Sequence, residues 1–333
     1  MTDVVLSARG VTVDYAGARP VHAVRDVTVE LRRGEILGIA GESGCGKTTL
    51  AFALAQLLRP PAELTAGTIT FIERDGTQTQ LTGLDAAALR RFRWNRMSMV
   101  FQSAMNALNP VTTIGRQITD IFAAHRPDMD ATTRRRRAGE LLDLVGIDPA
   151  RLRSFPHELS GGMRQRVGIA MALALEPDIV IMDEPTTALD VVVQREILDQ
   201  IERLRADLGF AIVFITHDLS LLLEISDRLA VMYAGRIVEQ AAVRDIETGA
   251  AHPYTQALLR SFPDLLADHR ELRGLPGNPP DLRETQPGCA FQPRCEHAFA
   301  PCATAPPALR EIEGTAEVAC HLHDPAYADG VHA

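Results

Sequence analysis

The chain has 333 residues, of which 46% are hydrophobic, so it can bury a substantial core. This length suggests two domains, or one large domain with an extension. The formal net charge of -9 argues against a nucleic-acid partner, which would usually meet a broad basic face. The first residues include Asp3 and Arg9 without a long apolar run, so we expect no secretory signal. The longest apolar stretches, residues 169–175 and 179–182, are far shorter than the roughly 18–20 residues of a membrane-spanning helix.

The amino-terminal third of the chain is dominated by strand patterns. The predicted strands are residues 11–15, 27–31, 36–40, 68–72 and 97–102. The third of them is a short apolar run that ends at Gly41, as is typical of a buried parallel strand. Residues 48–58 follow it and are rich in Ala and Leu, which predicts a helix that Pro60 and Pro61 stop.

The middle of the chain alternates between helical and strand patterns. Residues 111–156 are mainly helical, and 132–145 carry apolar positions at helical spacing. The arginine run at 134–137 within them is expected to be a solvated helix face. Strands return at 179–182 and 211–215, and the alternation with helices predicts a parallel sheet covered on both sides. Beyond about residue 252 Pro and Gly become frequent, so we place a domain boundary near residue 250.

The loop after the third predicted strand fits the pattern G-x-x-x-x-G-K-[ST] between a strand and a helix. Its glycines let the backbone point several N–H groups at one phosphate, and the helix adds its positive end. Lys47 is expected to bind the phosphates of a nucleoside triphosphate and Thr48 to ligate Mg²⁺. The alternative is a glycine-rich turn with a helix-capping Thr, which the strand–loop–helix context disfavours. The candidate residues are Gly41, Glu42, Ser43, Gly44, Cys45, Gly46, Lys47, Thr48 and Thr49.

Two carboxylates follow the apolar strand at 179–182. In open α/β sheets ligands bind at the carboxyl ends of the strands. Asp183 is therefore a candidate Mg²⁺ ligand, and Glu184 a candidate general base that polarises the attacking water. The plainer alternative is a strand that ends in a polar turn before Pro185; the presence of the phosphate loop favours the catalytic interpretation.

A second anion-binding helix start is predicted at the segment Leu-Ser-Gly-Gly-Met-Arg-Gln, residues 159–165. Ser160 is a predicted N-cap of a helix that runs to about residue 175, and Gly161 and Gly162 leave the approach to the helix free of side chains. A capped helix with a flexible start would explain Ser and Gly, but not the whole string.

With these motifs in place, the chain resembles the ABC ATPase family over roughly residues 4–240, because LSGGQ-type signatures precede the Mg²⁺ strand by about twenty residues there. Met163 stands at the usual Gln position and Gln165 two places on, similar to the form in peptide importers. The resemblance implies an α/β fold: a P-loop NTPase (RecA-like) core with an antiparallel β subdomain and a helical subdomain inserted at about 103–162. The ABC ATPase domain would span residues 1–250.

The resemblance also assigns roles to single residues. Tyr15 would stack on adenine, Gln102 would sense Mg²⁺ and the γ-phosphate and link to the membrane subunit, Asp190 would lie at a dimer contact, and His217 would contact the γ-phosphate. Their plain alternatives are a strand-edge aromatic, an exposed loop Gln, a helix N-cap and an ordinary His. Two such domains would meet head to tail, so that the partner ATP is covered by signature residues. These are Ser160, Gly161, Gly162 and Gln165.

The extension at residues 251–333 resembles the oligopeptide/dipeptide importer branch. The resemblance lies in His-Pro-Tyr-Thr at 252–255, Leu-Pro-Gly at 275–277, and Phe-Gln-Pro-Arg-Cys at 291–295. Its cysteines, spaced C-x5-C-x6-C-x17-C, match relatives that carry a [4Fe–4S] cluster. Zinc with His297, His321 or His323, or four reduced cysteines in a small core, are the alternatives. The four are Cys289, Cys295, Cys302 and Cys320.

The implied function is an ATP-hydrolysing subunit that powers peptide import from the cytoplasmic face of the cell membrane, as a peripheral protein without nucleic acid. Its implied partners are a second ABC ATPase in a heterodimer, two transmembrane permease subunits and an extracytoplasmic peptide-binding protein. Nickel, glutathione or a sugar-like solute are alternative cargoes. A non-transport ABC ATPase of DNA repair or translation is a further alternative, disfavoured because neither long heptad insertions nor a second ATPase unit are visible.

Overall fold

A computed structural model describes residues 4–101, 107–187, 189–261, 275–312 and 316–330. Of residues 328–330 it describes the backbone alone. The chain divides into two compact units. The first contains residues 4–6, 31–35 and 71–215, and the second contains 7–30, 36–70 and the chain from 216 onward. The composition-based boundary near residue 250 is a different division, and it stays a prediction.

The bounds of the regular elements are as follows. The strands are β1 Val4–Tyr15, β2 Val21–Arg32, β3 Ile36–Ala40, β4 Ala62–Ile72, β5 Gln78–Gln80, β6 Met97–Val100, β7 Ile179–Asp183, β8 Ala211–Ile215, β9 Arg228–Tyr233, β10 Arg236–Ala242, β11 Arg310–Glu311 and β12 Glu317–Val318. The helices are α1 Lys47–Leu54, α2 Ala86–Phe92, α3 Ile114–His125, α4 Ala131–Leu144, α5 Gly161–Ala172, α6 Val191–Leu208, α7 Leu219–Ile225, α8 Val243–Gly249, α9 Pro253–Arg260 and α10 Ala300–Thr304.

The first unit is built on three parallel strands. β7 pairs with β6 on one side and with β8 on the other, so that Ile179 lies opposite Met97 and Ala211. Every residue of β7 and β8 is buried, which explains their continuous apolar sequences, since a parallel strand is covered on both faces. This pairing confirms the predicted parallel sheet for these strands.

Between β6 and β7 the described chain is helical, as predicted for residues 111–156. α3 buries Ile114 and Ile118 along one face, and α4 has Asp130 as its N-cap, whose side chain accepts from the N–H groups of Thr132 and Thr133. The arginine run on α4 is paired along the helix, since Arg136 and Arg137 both contact Glu140.

The second unit has a mixed sheet and three strands of another sheet. β9 pairs with β3 in parallel and with β10 antiparallel, while β2, β1 and β4 lie side by side in that order. The extension continues the mixed sheet, because β12 pairs with β10 and β11 with β12. The sequence analysis missed β11 and β12, since two-residue strands carry no measurable periodicity.

Two predicted helix ends were wrong: both helices end earlier than predicted, and a residue with positive φ follows within four residues of each observed end. α1 stops at Leu54 rather than at residue 58, and Gln56 just beyond it has φ 55°. α5 stops at Ala172 rather than near 175, and Glu176 has φ 53°. A left-handed residue cannot continue a right-handed helix, and neither Gln nor Glu signals this conformation in a sequence.

Candidate functional site

The phosphate loop lies in the second unit between β3, which is buried throughout, and α1. Three of its glycines have positive φ: Gly41 145°, Gly44 77° and Gly46 108°. A Cβ on Gly41 would lie 2.2 Å from the carbonyl oxygen of Met232. The loop thus has a backbone course that requires glycine, as expected where N–H groups must surround an anion.

Lys47 is the buried cation of this loop, with 7% of its surface exposed. Its Nζ donates to the carbonyl oxygens of Gly41 at 2.7 Å and of Glu42 at 2.9 Å. The ammonium group is therefore held across the mouth of the loop by weak neutral acceptors. A phosphate oxygen would be a stronger, charged acceptor at the same place.

Glu42 has partners that the sequence analysis missed. Its carboxylate receives two hydrogen bonds from Arg294, and its N–H donates to the Tyr254 hydroxyl at 3.0 Å. Both partners belong to strings that were noted only as marks of the extension. One feature of the sequence could have pointed to them: these two segments are specific to one branch of a family, which suggests that they have a function there. The sequence does not indicate which function.

Near this loop, Tyr15 lies close to α1, and its hydroxyl contacts a side chain of that helix. The Tyr15 hydroxyl lies 3.0 Å from Thr49 Oγ1, and Tyr15 is half-buried at the end of β1. Ser43 is exposed, and burial raises the pKa of the Cys45 thiol, which is 6% exposed. His217, also in the second unit, is exposed just before α7.

The two candidate carboxylates lie in the first unit, at the carboxyl end of β7. Asp183 is the last residue of the strand and is 1% exposed. Glu184 is half-buried with φ 47°, and its N–H donates to the Ile215 carbonyl oxygen at 2.8 Å. Thr187 Oγ1 donates to a Glu184 carboxylate oxygen at 2.9 Å. The sheet therefore fixes the backbone of Glu184 while a hydroxyl orients its side chain.

The signature segment forms the start of α5, as predicted. Ser160 is the N-cap, and its hydroxyl accepts from the Met163 N–H at 3.2 Å. Gly162 lies so close to α6 that an added Cβ would be 2.6 Å from Val193 Cγ1. Gln165 is 4% exposed, and its side-chain nitrogen is buried.

Asp190 is an N-cap in this structure, which is its plain alternative. Its carboxylate accepts from the Val193 N–H at 2.9 Å, at the start of α6. Val191 and Val192, which follow it, are 82% and 69% exposed. The predicted dimer contact of Asp190 remains a prediction. Gln102 lies outside the described residues.

The cysteines of the extension are free thiols close to one another in the second unit. The Cys289 N–H donates to the Cys302 carbonyl oxygen at 2.8 Å, and burial, helped by the neighbouring cysteines, raises the pKa of Cys289 to about 11 and of Cys320 to about 12. Among the described residues, no three His, Cys, Asp or Glu side chains are arranged to hold a metal ion. The ring Nε2 of His321 contacts the Ala305 carbonyl oxygen at 2.8 Å.

None of the described helices is both long enough and apolar enough to cross a bilayer.

Comparison with known proteins identifies related sequences. Residues 24–187 match the ABC transporter family model, and residues 238–302 match the model of the oligopeptide/dipeptide transporter C-terminal region. The chain is 43% identical to a putative peptide import ATP-binding protein of Brucella melitensis, over 92% of this chain and 94% of that relative. It is 41% identical to the dipeptide transport ATP-binding protein DppD of Bacillus subtilis, over 96% and 95%.

Another relative is longer, and a solved structure supports the fold. The chain is 45% identical to the oligopeptide transport ATP-binding protein OppD of Mycobacterium tuberculosis, over 90% of this chain but only 49% of OppD, so it spans about half the length of that relative. An ATP-binding cassette solved as a dimer bound to ADP and Pi matches 72% of this chain at 28% identity, with a TM-score of 0.63. The chain has the ATP-binding cassette fold and belongs to the family of ABC transporter ATP-binding proteins that carry the oligopeptide/dipeptide transporter C-terminal region.

Proposed function

We propose that this chain binds and hydrolyses ATP to power import of di- or oligopeptides through an ABC transporter. The observation that carries the proposal is the phosphate loop: three glycines with positive φ and a buried Lys47, whose Nζ donates to two loop carbonyl oxygens and lies 3.9 Å from Cys45 Sγ. A loop built in this way is a preformed anion site, and the family supplies the identity of the anion as ATP. The relatives named as peptide import proteins support the cargo class.

The proposed hydrolytic residues keep the roles that the resemblance implies. Lys47 neutralises phosphate charge, and Glu184 polarises the attacking water, oriented by Thr187. Tyr15 stacks on adenine, and His217 contacts the γ-phosphate. Mg²⁺ would neutralise charge that develops on the phosphates, and hard oxygen donors suit it. The proposed Mg²⁺ residues are Thr48, Gln102 and Asp183.

The signature segment is proposed to cover ATP held by a second ATPase subunit, in a heterodimer. Its helix start offers N–H groups and the positive end of α5 without side chains in front. Ser160, Gly161, Gly162 and Gln165 would contact that ATP, and Asp190 would lie at the contact between subunits. ATP binding closes such a pair, and hydrolysis lets it reopen.

Replacing Glu184 tests the hydrolytic assignment. In Glu184→Gln we expect the ATPase rate to fall by about 10²–10⁴-fold, the usual contribution of a general base, while ATP binding persists and an ATP-bound dimer accumulates. Glu196→Gln, at an exposed position on α6, is the matched control and should keep its turnover. Normal turnover in Glu184→Gln would refute the role of Glu184.

The proposed partners are two transmembrane permease subunits and an extracytoplasmic peptide-binding protein, with this chain bound peripherally at the cytoplasmic face of the membrane. Pull-down from native membranes, followed by identification of the bound chains, tests this assembly. Recovery with permeases and a peptide-binding protein is expected. Recovery with a nickel-, glutathione- or sugar-binding protein would change the cargo, and recovery with ribosomes or DNA alone would overturn the transport function.

We also propose a [4Fe–4S] cluster on Cys289, Cys295, Cys302 and Cys320. The support is the soft thiol donor set and the proximity of these cysteines, two of which are joined by the hydrogen bond from the Cys289 N–H to the Cys302 carbonyl oxygen. The thiols as described do not form a ready metal site, so binding would have to draw them together. Anaerobically purified protein should be brown with about four irons per chain; colourless protein, with zinc or without metal, would exclude the cluster.

A further inference from the structure

We propose that Arg294 is a positioning residue of the phosphate loop, which neutralises and holds the Glu42 carboxylate so that ATP meets no uncompensated negative charge there. The inference concerns a residue of the extension acting on the loop more than 240 residues earlier in the chain. It rests on the proposed ATP binding, and it gives the extension a direct part in that binding.

The contact between Arg294 and Glu42 is bidentate. Arg294 Nη1 lies 2.7 Å from Glu42 Oε2, and Nη2 lies 3.0 Å from Oε1. Two parallel charge-assisted bonds fix the carboxylate in direction as well as in distance. The Arg294 side chain is only 4% exposed, so this is a shielded pair and not one of the weak ion pairs of a protein surface.

Arg294 is itself held in place on several sides. Its Nε donates to the Pro276 carbonyl oxygen at 2.8 Å, and Nη1 also donates to the Tyr233 hydroxyl at 3.2 Å. The guanidinium carbon lies 5.8 Å from the centroid of the Tyr233 ring and 6.0 Å from that of Phe291. These two hydrogen bonds and two ring contacts leave the group little freedom to follow Glu42, so Glu42 is held to Arg294.

The backbone of Glu42 is tied to the extension as well. Its N–H donates to the Tyr254 hydroxyl, and the Tyr254 ring packs against Tyr233 with centroids 4.6 Å apart. The Glu42 carbonyl oxygen accepts from Lys47 Nζ. The residue thus joins the extension on one side to the phosphate-binding lysine on the other.

The charge of Glu42 explains why the loop needs this arrangement. A carboxylate in a loop that receives a triphosphate repels it, and partly buried charges are only weakly screened by salt. Pairing with Arg294 cancels that repulsion before ATP arrives. The two hydrogen bonds from Arg294 also keep the Glu42 carboxylate from rotating toward the phosphates.

Backbone hydrogen bonds within residues 289–295, the cysteine segment, hold the turn that carries Arg294. The Gln292 N–H donates to the Cys289 carbonyl oxygen at 3.0 Å, and the Cys295 N–H donates to the Gln292 carbonyl oxygen at 3.2 Å. The short 3₁₀ turn Gln292–Arg294 is therefore bracketed by two of the cysteines. This explains why the Arg and the cysteines occur in one string of the sequence.

The test measures the dissociation constant of ATP by calorimetry on the full chain. Arg294→Met should weaken ATP binding about tenfold, equivalent to 1.4 kcal/mol, because it leaves Glu42 unpaired. The matched control is Arg310→Met, which breaks an ion pair of the same extension, with Asp324 at 2.9 Å, away from the loop. It should bind ATP as the unaltered chain does. In the assembled transporter Arg294→Met should raise KM for ATP about tenfold and change kcat by less than about twofold.

A second substitution separates charge compensation from simple loss of structure. Glu42→Gln introduced into Arg294→Met should restore the ATP dissociation constant to within about threefold of the unaltered chain, because it removes the charge that Arg294 no longer neutralises. Wild-type affinity in Arg294→Met, or a double variant as weak as Arg294→Met, would overturn the inference. If Arg294→Met does not fold, the double variant decides, because a tenfold loss of ATP affinity there would also overturn the inference. Failure of the folded, unaltered chain to bind ATP would instead refute the proposed function.

Discussion

Two helices of this chain have glycines at their starts, and their N-termini are built in different ways. α1 follows Gly46, which has φ 108° and caps the helix without any side chain. α5 follows Ser160, whose hydroxyl accepts from the Met163 N–H. The first N-terminus depends on a backbone conformation that favours glycine, whereas the second is an ordinary side-chain cap.

An added methyl group would meet different obstacles at the two places. At Gly46 a Cβ would lie 2.1 Å from the carbonyl oxygen of Ala23, which is backbone and cannot move aside. At Gly162 the nearest atom, Val193 Cγ1, belongs to a side chain that could be shortened. The glycines of the phosphate loop are thus required by this chain's own fold. Gly162 of α5 is required by a side chain that can be shortened, which leaves the glycine available for the proposed contact with a nucleotide held elsewhere.

The largest effect is expected from Gly46→Ala, which attacks the backbone-built N-terminus. The positive φ alone costs about 1–2 kcal/mol in a non-glycine residue, and the overlap with Ala23 must displace the loop. We expect ATP affinity to fall by more than about 100-fold, measured by calorimetry. Gly44→Ala is the control for strain alone, because φ is 77° there and no atom lies within 4 Å of the added Cβ. Equal losses in the two variants would contradict the distinction.

Gly162→Ala should affect α5 in a different manner. We expect the free energy of unfolding to fall by about 1–3 kcal/mol, the usual cost of an added group in a packed contact, with ATP binding by the isolated chain unchanged. Adding Val193→Ala should recover most of that stability. If the glycine also serves a partner's ATP, transporter ATPase activity stays low in the double variant. Full recovery of the transporter ATPase activity in the double variant would show that Gly162 serves only the packing of α5 against α6.

Acid should distinguish the two N-termini, because the phosphate loop is bonded to Tyr254, whose own N–H donates to a buried histidine. His252 accepts from the Tyr254 N–H through Nδ1, and burial, with His323 nearby, lowers the pKa of His252 to about 3. Above its ordinary value near 6.5 both the folded and the unfolded chain hold a neutral ring. As pH falls toward 3, only the unfolded chain takes the proton, so stability falls by up to about 1.4 kcal/mol per pH unit.

Hydrogen exchange measures where this acid effect begins. Between pH 6.5 and about 4.5 the Glu42 N–H, bonded to Tyr254, should lose protection before the Met163 N–H. His252→Gln should abolish the difference in pH dependence, and His157→Gln, at an exposed position in the first unit, should leave it unchanged. Simultaneous loss of both amides would mean that acid acts on the whole chain.

The difference between the two helix starts also shows what the sequence could predict. The apolar runs at residues 36–40 and 211–215 predicted the bounds of β3 and β8 correctly. The phosphate loop and the cap at Ser160 were also predictable, because each is a local pattern of a few adjacent residues. The pairing of Arg294 with Glu42 joins positions 252 residues apart, and no local pattern encodes such a contact. Likewise, the two-residue strands β12 and β11 are defined by the strands with which they pair, β10 and β12, and not by their own residues.

The smallest effect is expected from Ser160→Ala, which removes the cap of α5 while leaving its glycines in place. Loss of an N-cap hydroxyl costs about 1 kcal/mol, because the Met163 N–H loses its acceptor. Thermal unfolding should therefore shift by a few degrees at most, with ATP binding by the isolated chain intact. Ser160→Asp is the sharper companion, since Asp caps as well as Ser but carries a negative charge. It should keep the stability and yet lower the ATPase rate of the assembled transporter if this helix start meets phosphate; an unaffected rate would assign Ser160 to capping alone.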